Sequence, residues 1–244
     1  MRQGTFEIID NIPLTKDVMR LRLRGDTAAI TGPGQFVNIQ VEGCFLRRPF
    51  SVCDYDGETL TVVYKRKGWG TETLSGLQKG SLDILTGLGN GFDLSRAGDR
   101  PLLIGGGLGF TPLYALTKAL AARGKRPQVL LGFQSAAQVV YEEEFRALGA
   151  EIAVCTEDGS HGRKGRVTEA MQGLDYSYFY ACGPEAMLRA VYDCAESSGE
   201  FSFEQRMGCG FGACMGCSCE TLYGTKRICR DGPVLKKEEI KWRT

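Results

Sequence analysis

The stretch that decides the fold is "PLLIGGGLGFTPLYALTKALAAR", residues 101–123. Its first residues form an apolar strand that ends in glycines, and residues 111–123 have helical spacing with Pro112 in a first turn that tolerates proline. The glycines do not complete a G-x-G-x-x-G motif, because position 110 is phenylalanine. Between a strand and a helix they nevertheless offer backbone N–H groups to a dinucleotide phosphate. The candidate residues of this turn are Gly105, Gly106, Gly107, Gly109 and Thr111.

The segments that follow continue the alternation of strand and helix. The pattern predicts strands at 128–133, 151–156 and 176–182, and helices at 141–148, 167–174 and 184–197. Such alternation predicts a Rossmann-like parallel sheet that is covered on both faces. Ligands of these sheets bind beyond the carboxyl ends of the strands.

The segments that precede residues 101–123 alternate apolar and polar residues with the period of two that is typical of strands. In residues 36–42, Val37 and Ile39 alternate with Asn38 and Gln40, which predicts one buried face and one solvated face. Residues 18–24, 60–65 and 81–85 continue the series, and a short helix is predicted over 71–77. Short strands of this kind predict an antiparallel barrel or sandwich. We expect three parts: a β-barrel at 1–98, an α/β nucleotide-binding domain at 99–200, and a small cluster-binding domain at 201–244.

The last part contains five of the ten cysteines within 27 residues. Four of them, Cys209, Cys214, Cys217 and Cys229, have the spacing C-x4-C-x2-C-x11-C, which is the plant-type pattern of a [2Fe–2S] cluster. The interleaved glycines allow the loop to wrap around a cluster with its N–H groups toward the sulfurs. Structural zinc is the alternative, but zinc usually takes two C-x2–4-C pairs, and Cys229 has no partner within four residues. The role of Cys219 stays open.

The composition of the whole chain is that of an ordinary globular protein. It has 244 residues, 43% hydrophobic residues and a formal net charge of +1, which gives no electrostatic case for nucleic acid or an anionic membrane. No apolar run nears the roughly 18 to 20 residues that span a bilayer, and no signal peptide is evident. We therefore expect a cytoplasmic protein without disulfides. The scattered cysteines are predicted to be buried small hydrophobes: Cys44, Cys53, Cys155, Cys182 and Cys194.

The motif "RRPFSV", residues 47–52, suits a flavin. Arg48 can pair with a pyrophosphate, Phe50 can pack against a ring, and Ser51 can hydrogen-bond it. With this motif the whole chain resembles the ferredoxin reductase superfamily, in which a β-barrel binds FAD through R-x-[aromatic]-[Ser/Thr] and a Cys-Gly-Pro turn lies over the nicotinamide. The resemblance implies FAD contacts at Arg48, Pro49, Phe50, Ser51, Val63, Tyr64, Lys65, Gly70 and Thr71, and nicotinamide contacts at Cys182, Gly183 and Pro184.

The order of the parts, with "GLGNGF" (87–92) and "CRDGPV" (229–234), resembles one family within that superfamily, the electron-transfer subunits of NAD-dependent (type B) dihydroorotate dehydrogenase. The resemblance implies that electrons pass from the FMN of a separate catalytic subunit through [2Fe–2S] and FAD to NAD⁺, in pyrimidine (UMP) biosynthesis. It also implies a heterotetramer with two copies of each subunit. Phe50 departs mildly from that family, in which aliphatic residues are usual.

Several further expectations follow from the residues. The segment 132–141 has no Arg or Lys for a 2′-phosphate, which favours NADH over NADPH. His161, the single histidine, is predicted to be a surface residue, and no catalytic acid or base is expected. A cluster near the C-terminus must hand its electron to a docked partner, so Met207, Phe211, Met215 and Leu222 are expected near that interface.

Two other functions fit the same sequence. One is the flavin and [2Fe–2S] subunit of a different NAD(P)H-dependent reductase, of the ferredoxin reductase, sulfide dehydrogenase or hydrogenase type. The other is a non-redox binding module with structural zinc. The absorption spectrum of the purified protein separates the second from the redox functions, because flavin and [2Fe–2S] are coloured and zinc is not.

Overall fold

The N-terminal part of the protein is a closed antiparallel barrel, as predicted. The computed structural model describes residues 1–242. Six strands close the barrel: β1 (Arg2–Pro13), β2 (Val18–Arg24), β3 (Phe36–Ile39), β4 (Arg48–Tyr55), β5 (Thr59–Lys65) and, after helix α1 (Trp69–Ser75), β6 (Ser81–Leu88). Their order around the barrel is β1-β2-β5-β4-β3-β6. Alternate residues such as Leu21, Leu23, Val37 and Ile39 fill the interior.

The prediction of a solvated face on β3 is wrong at one residue. Asn38 lies on the face opposite to Val37 and Ile39, yet only 2% of its surface is exposed. The C-terminal segment covers this face, since Phe36 packs in the same apolar cluster as Cys217 and Cys229. Strand periodicity shows which side chains point away from the barrel interior, but it does not show what packs on them.

Helix α1 begins two residues before its predicted start. The hydroxyl of Thr71 accepts hydrogen bonds from the backbone N–H groups of Lys67 and Gly68, at 2.9 and 3.2 Å. Thr71 therefore satisfies two N–H groups of the turn from inside the helix, although the sequence predicted it as the first helical residue. The buried glycine of this turn is Gly70.

The middle of the chain forms a mostly parallel sheet. Its strands are β7 (Pro101–Gly106), β8 (Gln128–Phe133), β9 (Glu151–Thr156), β10 (Arg163–Lys164), β11 (Tyr178–Cys182), β12 (Gly199–Ser202) and, after the hairpin β13 (Ser218–Thr221) and β14 (Gly224–Arg227), β15 (Val234–Lys236). The order is β10-β9-β8-β7-β11-β12-β15, and only β15 runs antiparallel to its neighbour. The last strand thus comes from the segment that we expected to form the cluster domain, and the boundaries near 98 and 200 stay predictions.

Helices and the barrel cover both faces of this sheet. The remaining helices are α2 (Phe110–Ala121), α3 (Glu142–Ala147), α4 (Val167–Met171), α5 (Glu185–Cys194) and α6 (Ile228–Asp231). One apolar layer joins α2 to the barrel, with Phe110 and Leu113 against Val63 and Cys53. The other layer joins α4 and α5 to the C-terminal segment. The barrel and the sheet therefore share a core.

Two further predictions can be checked here. No disulfide forms among the ten cysteines, and Cys44, Cys53, Cys155 and Cys182 are buried as predicted. Cys194 is exposed, so its prediction is wrong: it lies at the end of α5, where the helix face turns outward. Within residues 1–242 no helix has the length and apolar character to cross a bilayer.

Candidate functional site

The four predicted ligand thiols come together as two pairs. The backbone N–H groups of Ala213 and Cys214 donate to Cys209 Sγ at 3.2 and 3.4 Å, and the N–H of Cys209 donates to Cys214 Sγ at 3.4 Å. The N–H of Cys229 donates to Cys217 Sγ at 3.4 Å. The C-x4-C spacing forms the first pair within one loop, and helix α6 brings Cys229 to Cys217 for the second.

The electrostatics of the loop favour a thiolate at Cys209. Burial opposes its ionisation, but the backbone N–H groups of Cys214 and Phe211 lower the pKa of the Cys209 thiol to about 6. Burial, and then the neighbouring thiols of Cys217 and Cys209, raise the pKa of Cys229 to about 12. The thiolate is the form that binds metal, so the loop prepares its first ligand before any metal arrives.

The ligand loop is held in an unusual backbone conformation. Gly210 and Gly212 have φ of +74° and +91°, which few residues other than glycine adopt. Met215, between the second and third ligands, has φ of +61°, an uncommon value for a non-glycine residue. Strained positions of this kind cluster at functional sites. The loop therefore wraps with its N–H groups toward sulfur, as the glycines predicted.

The thiol arrangement fits a [2Fe–2S] cluster better than zinc. A [2Fe–2S] cluster is held by four thiolates on two irons, and the structure offers two adjacent pairs. A structural zinc needs four ligands around one centre. Among the residues that the structure describes, no three Cys, His, Asp or Glu side chains form a group that could hold a metal ion. Cys219 lies in β13, opposite Lys226, and its role stays open.

The predicted FAD residues fall into two groups. Arg48 lies beside the start of α1, since a Cβ added to Gly70 would lie 2.7 Å from Arg48 Nε. Arg48 also donates to Cys44 Sγ at 3.1 Å and to the carbonyl of Leu46 at 2.9 Å. The motif arginine and the α1 turn are thus neighbours, and a side chain at position 70 would displace the Arg48 guanidinium or Cys44 Sγ. That both contact one pyrophosphate stays a prediction.

The second group lies on β4 and β5. The ring centroids of Phe50 and Tyr64 are 5.4 Å apart, and the Tyr64 hydroxyl donates to Asn11 Oδ1 at 3.0 Å. Burial raises the pKa of Tyr64 to about 12. The Lys65 ammonium is exposed and pairs with Asp17 at 2.7 Å. The Tyr64 phenol therefore belongs to the barrel interior, which leaves Phe50 and the backbone of β5 as the surfaces open to a flavin.

The remaining predicted FAD residues flank these groups. Pro49 is paired with Asn38, Ser51 with Phe36, and Val63 is buried where the barrel meets α2. β4 thus pairs with β3, whose Asn38 contacts the ligand loop, and packs against α2 of the α/β part.

The two predicted nucleotide turns pack against each other. A Cβ on Gly109 would lie 2.0 Å from the carbonyl oxygen of Cys182, and one on Gly183 would lie 3.0 Å from the nitrogen of Gly106. A Cβ on Gly106 would likewise lie 3.0 Å from Pro184 Cδ. Backbone thus meets backbone at the carboxyl ends of β7 and β11, where these sheets bind nucleotides. Of the other predicted residues, Gly105 lies in β7 opposite Cys182, Gly107 has open space beside it, and Thr111 is buried in α2.

Sequence reasoning missed two polar residues near these sites. The first is Asn38, whose only signal was a single polar residue within "FVNI". The second is Glu204, which reaches solvent although surrounding atoms desolvate its carboxylate and raise its pKa. Burial, and then the nearby Glu204 charge, raise the pKa of the Cys182 thiol. Cys182 is therefore a buried neutral thiol with an acidic neighbour.

The surface around the ligand loop is apolar. Phe211, Met215, Leu222 and Tyr223 are all exposed, from 45% to 78% of their surface, whereas Met207 is half-buried in the adjacent apolar cluster. His161 lies on the surface in a loop of the α/β part, and its Nε2 is 2.6 Å from Glu142 Oε2. The histidine is thus exposed, as predicted, and contacts a glutamate of α3.

Two family models match the chain. One is described as the iron-sulfur cluster binding domain of dihydroorotate dehydrogenase B and matches residues 204–241. The other is described as an oxidoreductase NAD-binding domain and matches residues 103–193. These ranges contain all four ligand cysteines and both nucleotide turns.

Close relatives match nearly the whole chain. A protein of Bacillus caldolyticus, named dihydroorotate dehydrogenase B (NAD(+)), electron transfer subunit, is 46% identical over 224 residues, which cover 85% of this chain and 86% of that protein. A protein of the same name from Bacillus mycoides (strain KBAB4) is 41% identical and covers 98% of this chain and 99% of its own length.

Solved structures share the fold. A structure of an NADH-dependent reduced ferredoxin-NADP oxidoreductase, described in terms of flavin-based electron bifurcation, has a TM-score of 0.89 at 28% identity and covers 98% of this chain and 90% of that chain. A flavohemoglobin from Malassezia yamatoensis with bound FAD and heme has a TM-score of 0.66 at 19% identity, over 79% of this chain and 56% of that chain, which indicates the fold alone.

Proposed function

The chain belongs to the family of electron transfer subunits of dihydroorotate dehydrogenase B, and on that premise we propose that it links dihydroorotate oxidation to NAD⁺. The electrons come from the FMN of a catalytic subunit, cross the [2Fe–2S] cluster and FAD, and reduce NAD⁺. This transfer serves pyrimidine (UMP) biosynthesis. The protein is thus the NAD-reducing part of an oxidoreductase complex.

Its cofactors are FAD, a [2Fe–2S] cluster and NAD. When bound, FAD exchanges a hydride with NAD and single electrons with the cluster, so it joins two-electron to one-electron chemistry. The protein's own contribution is to position these groups, because hydride transfer between adjacent rings depends mainly on proximity and orientation. No side chain is assigned the role of acid or base.

Three groups of residues position these cofactors. Arg48 and the turn at Gly70 would hold the FAD pyrophosphate, Phe50 would pack against the flavin ring, and Ser51 would hydrogen-bond the flavin. The packed turns at Gly109 and Cys182 would hold the nicotinamide end of NAD. The buried Cys182 thiol adds bulk without charge, because its raised pKa keeps it protonated.

The observation that carries this proposal is the position of the ligand loop. The two thiol pairs lie on the outer face of β3, and β3 pairs with β4, the strand of the flavin motif. This contact supports a cluster site next to the flavin motif, and Phe211 and Met215 of the loop are exposed. An electron carrier between a partner and a flavin needs this arrangement.

The exposed surface at Phe211, Met215 and Leu222 is the proposed docking site for the catalytic subunit. Exposed apolar patches of this kind mark protein interfaces. We expect Phe211→Glu to weaken binding of the catalytic subunit at least tenfold in a pull-down titration. Phe45→Glu is the matched control, since Phe45 is fully exposed elsewhere in the barrel. Equal binding of the two variants would remove Phe211 from the interface.

The function as a whole is tested by co-expression with a candidate FMN subunit. The purified complex should contain two copies of each chain and should form NADH when dihydroorotate and NAD⁺ are added. A complex that forms but transfers no electrons from dihydroorotate would contradict the proposal.

A second candidate function rests on the structural similarity at a TM-score of 0.89. That similarity favours a flavin and cluster subunit of a different NAD(P)H-dependent reductase, in which ferredoxin or another electron carrier replaces dihydroorotate. The same purified complex distinguishes the two: reduction by ferredoxin without reduction by dihydroorotate would favour this second function.

A further inference from the structure

Asn38 is a polar side chain on a buried face that is otherwise apolar. On the same face of β3, Phe36 belongs to the apolar cluster that contains Leu85, Cys217 and Cys229. Asn38 is 2% exposed, and burying an amide among apolar groups costs free energy unless it is hydrogen-bonded. Its presence there needs a reason other than packing.

One end of the amide is bonded to the ligand loop. Asn38 Nδ2 donates to the carbonyl oxygen of Cys209 at 3.2 Å, across 171 residues of sequence. A Cβ on Gly210 would lie 2.0 Å from the same nitrogen, so the loop can approach the amide only because residue 210 is a glycine. The barrel and the first cluster ligand are thus joined at one point.

The oxygen of the amide makes no hydrogen bond within the barrel. Asn38 Oδ1 is buried and finds no hydrogen-bond partner among the described residues. An unsatisfied buried oxygen of this kind is costly and calls for a functional explanation. A side chain kept only to complete the barrel packing would be apolar, or would have both ends bonded.

The hydrogen bond connects the two redox sites through a single strand pair. Asn38 lies opposite Pro49, in the centre of the flavin motif of β4. On the other side, Cys209 gives its N–H to Cys214 Sγ and receives two N–H donors on its own Sγ. A shift of the Cys209 backbone would therefore change every N–H···S contact of the first thiol pair.

We propose that Asn38 is a positioning residue for electron transfer, which holds the Cys209 loop against β3 and thereby sets the reduction potential of the cluster and its distance from the flavin. N–H···S contacts and the charge nearby are the terms by which a protein tunes such a cluster. The inference rests on the proposed function, but it concerns the isolated chain and requires no partner.

The test is a redox titration of the purified holoprotein, followed by EPR of the reduced cluster. Asn38→Asp keeps the shape of the side chain but replaces the donor by a carboxylate oxygen that faces the Cys209 carbonyl. We expect full iron content, a midpoint potential shifted to more negative values, altered g values, and slower cluster reduction after NADH is added. Asn38→Leu removes the donor without adding charge and should alter the g values with a smaller shift of the potential.

Asn90→Asp is the matched control. Asn90 is also a barrel-side amide that donates to the C-terminal segment, at 2.8 Å to the carbonyl of Val234, but it touches no ligand residue. It should leave the potential and the EPR spectrum unchanged. If the Asn38 variants lower the melting temperature but leave the potential and g values unchanged, Asn38 is a structural contact and the proposal is overturned.

If both Asn38 variants lose the cluster, the same titration is made with Gly210→Ala. The methyl group that this variant adds to the loop would collide with the Asn38 amide and push the two apart. A shifted potential would support the proposal, and an unchanged potential would overturn it. Because none of these readouts uses dihydroorotate or a partner subunit, they are independent of whether the proposed electron donor is correct.

Discussion

At the scale of single residues, the sites are defined by positions where no side chain fits. Gly70 leaves room for the Arg48 guanidinium, and Gly109 leaves room for the carbonyl of Cys182. In both places a glycine lets two parts of a binding surface approach each other. The chemistry of the protein thus depends on glycines as much as on its charged residues.

Arg48→Ala should weaken FAD retention, because it removes the cation that faces the α1 turn. We expect at least a tenfold loss of affinity, measured as flavin content after gel filtration and by titration of the apoprotein. Arg47→Ala is the control, since Arg47 instead pairs with Asp83 at 3.0 Å. A flavin content equal to that of the unaltered protein would remove Arg48 from the site.

Gly109→Ala should separate the two nucleotide turns, because its Cβ would lie 2.0 Å from the Cys182 oxygen. NADH should then reduce the flavin at least a hundredfold more slowly in stopped-flow experiments, with flavin content unchanged. Gly32→Ala is the control, because nothing lies within 4 Å of the added Cβ and Gly32 belongs to neither nucleotide turn. Similar rates in the two variants would contradict the packed-turn geometry.

At the scale of elements, one short linker joins the barrel to the sheet and is held by strands of the sheet. The linker residue Asp93 gives its N–H to Glu200 Oε2 at 3.0 Å and accepts from the Tyr180 hydroxyl at 2.8 Å. Glu200 is buried in β12, between β11 and β15. The C-terminal segment thus helps to enclose the carboxyl group that fixes the barrel relative to the sheet.

The pH dependence of stability should report this contact. Burial raises the pKa of Glu200 to about 7, from 4.5 in its ordinary state. Between these values the folded protein keeps a proton that the unfolded chain releases, so stability falls as pH rises from about 4.5 to about 7. Glu200→Gln keeps the oxygen acceptor without the charge, and should flatten this part of the curve and raise the melting temperature at pH 8.

Melting temperatures at half-unit pH intervals provide the measurement, with each unit of pKa shift corresponding to about 1.4 kcal/mol. Glu151→Gln, at an exposed position in β9, is the control and should follow the unaltered protein. Parallel curves for Glu200→Gln and the unaltered protein would show that the Glu200 carboxyl does not hold its proton.

At the scale of the whole molecule, the residues of the three predicted sites lie around β4. The flavin motif lies on this strand, the ligand loop lies on the neighbouring β3, and α2 with its nucleotide turn packs on the other side. The sites are adjacent, but their binding residues belong to different segments. They should therefore be separable by mutation.

Cys214→Ser should abolish the cluster while NADH still reduces the flavin. The ligand pair 209/214 is lost, but no residue of the flavin site or the nucleotide turns changes. Iron analysis and anaerobic flavin bleaching by NADH measure the two effects. Cys219→Ser is the control and should keep its iron; a flavin that NADH no longer reduces in Cys214→Ser would show that the sites are not separable.

Much of this organisation could be predicted from local patterns. Cysteine spacing, strand alternation and the glycine turn each occupy one short stretch, so they indicated the barrel, the parallel sheet and the ligand set directly. The barrel and the alternating sheet are confirmed. Strands β12 and β15 were missed, because three or four residues are too few to show a period.

Contacts between distant segments could not be predicted. Asn38 was expected on a solvated face because its pattern says only that it points away from the barrel interior, and Cys209 lies 171 residues away. The raised pKa of Glu200 likewise depends on three strands and a linker that enclose its carboxyl group. Such features arise from the assembled fold, and no window of sequence contains them.

The most direct test of the account is metal analysis of anaerobically purified protein, combined with EPR after chemical reduction. The account predicts two irons and two inorganic sulfides per chain, no stoichiometric zinc, and a paramagnetic signal from one unpaired electron in the reduced state. One zinc per chain, or iron-free protein with no signal, would contradict it.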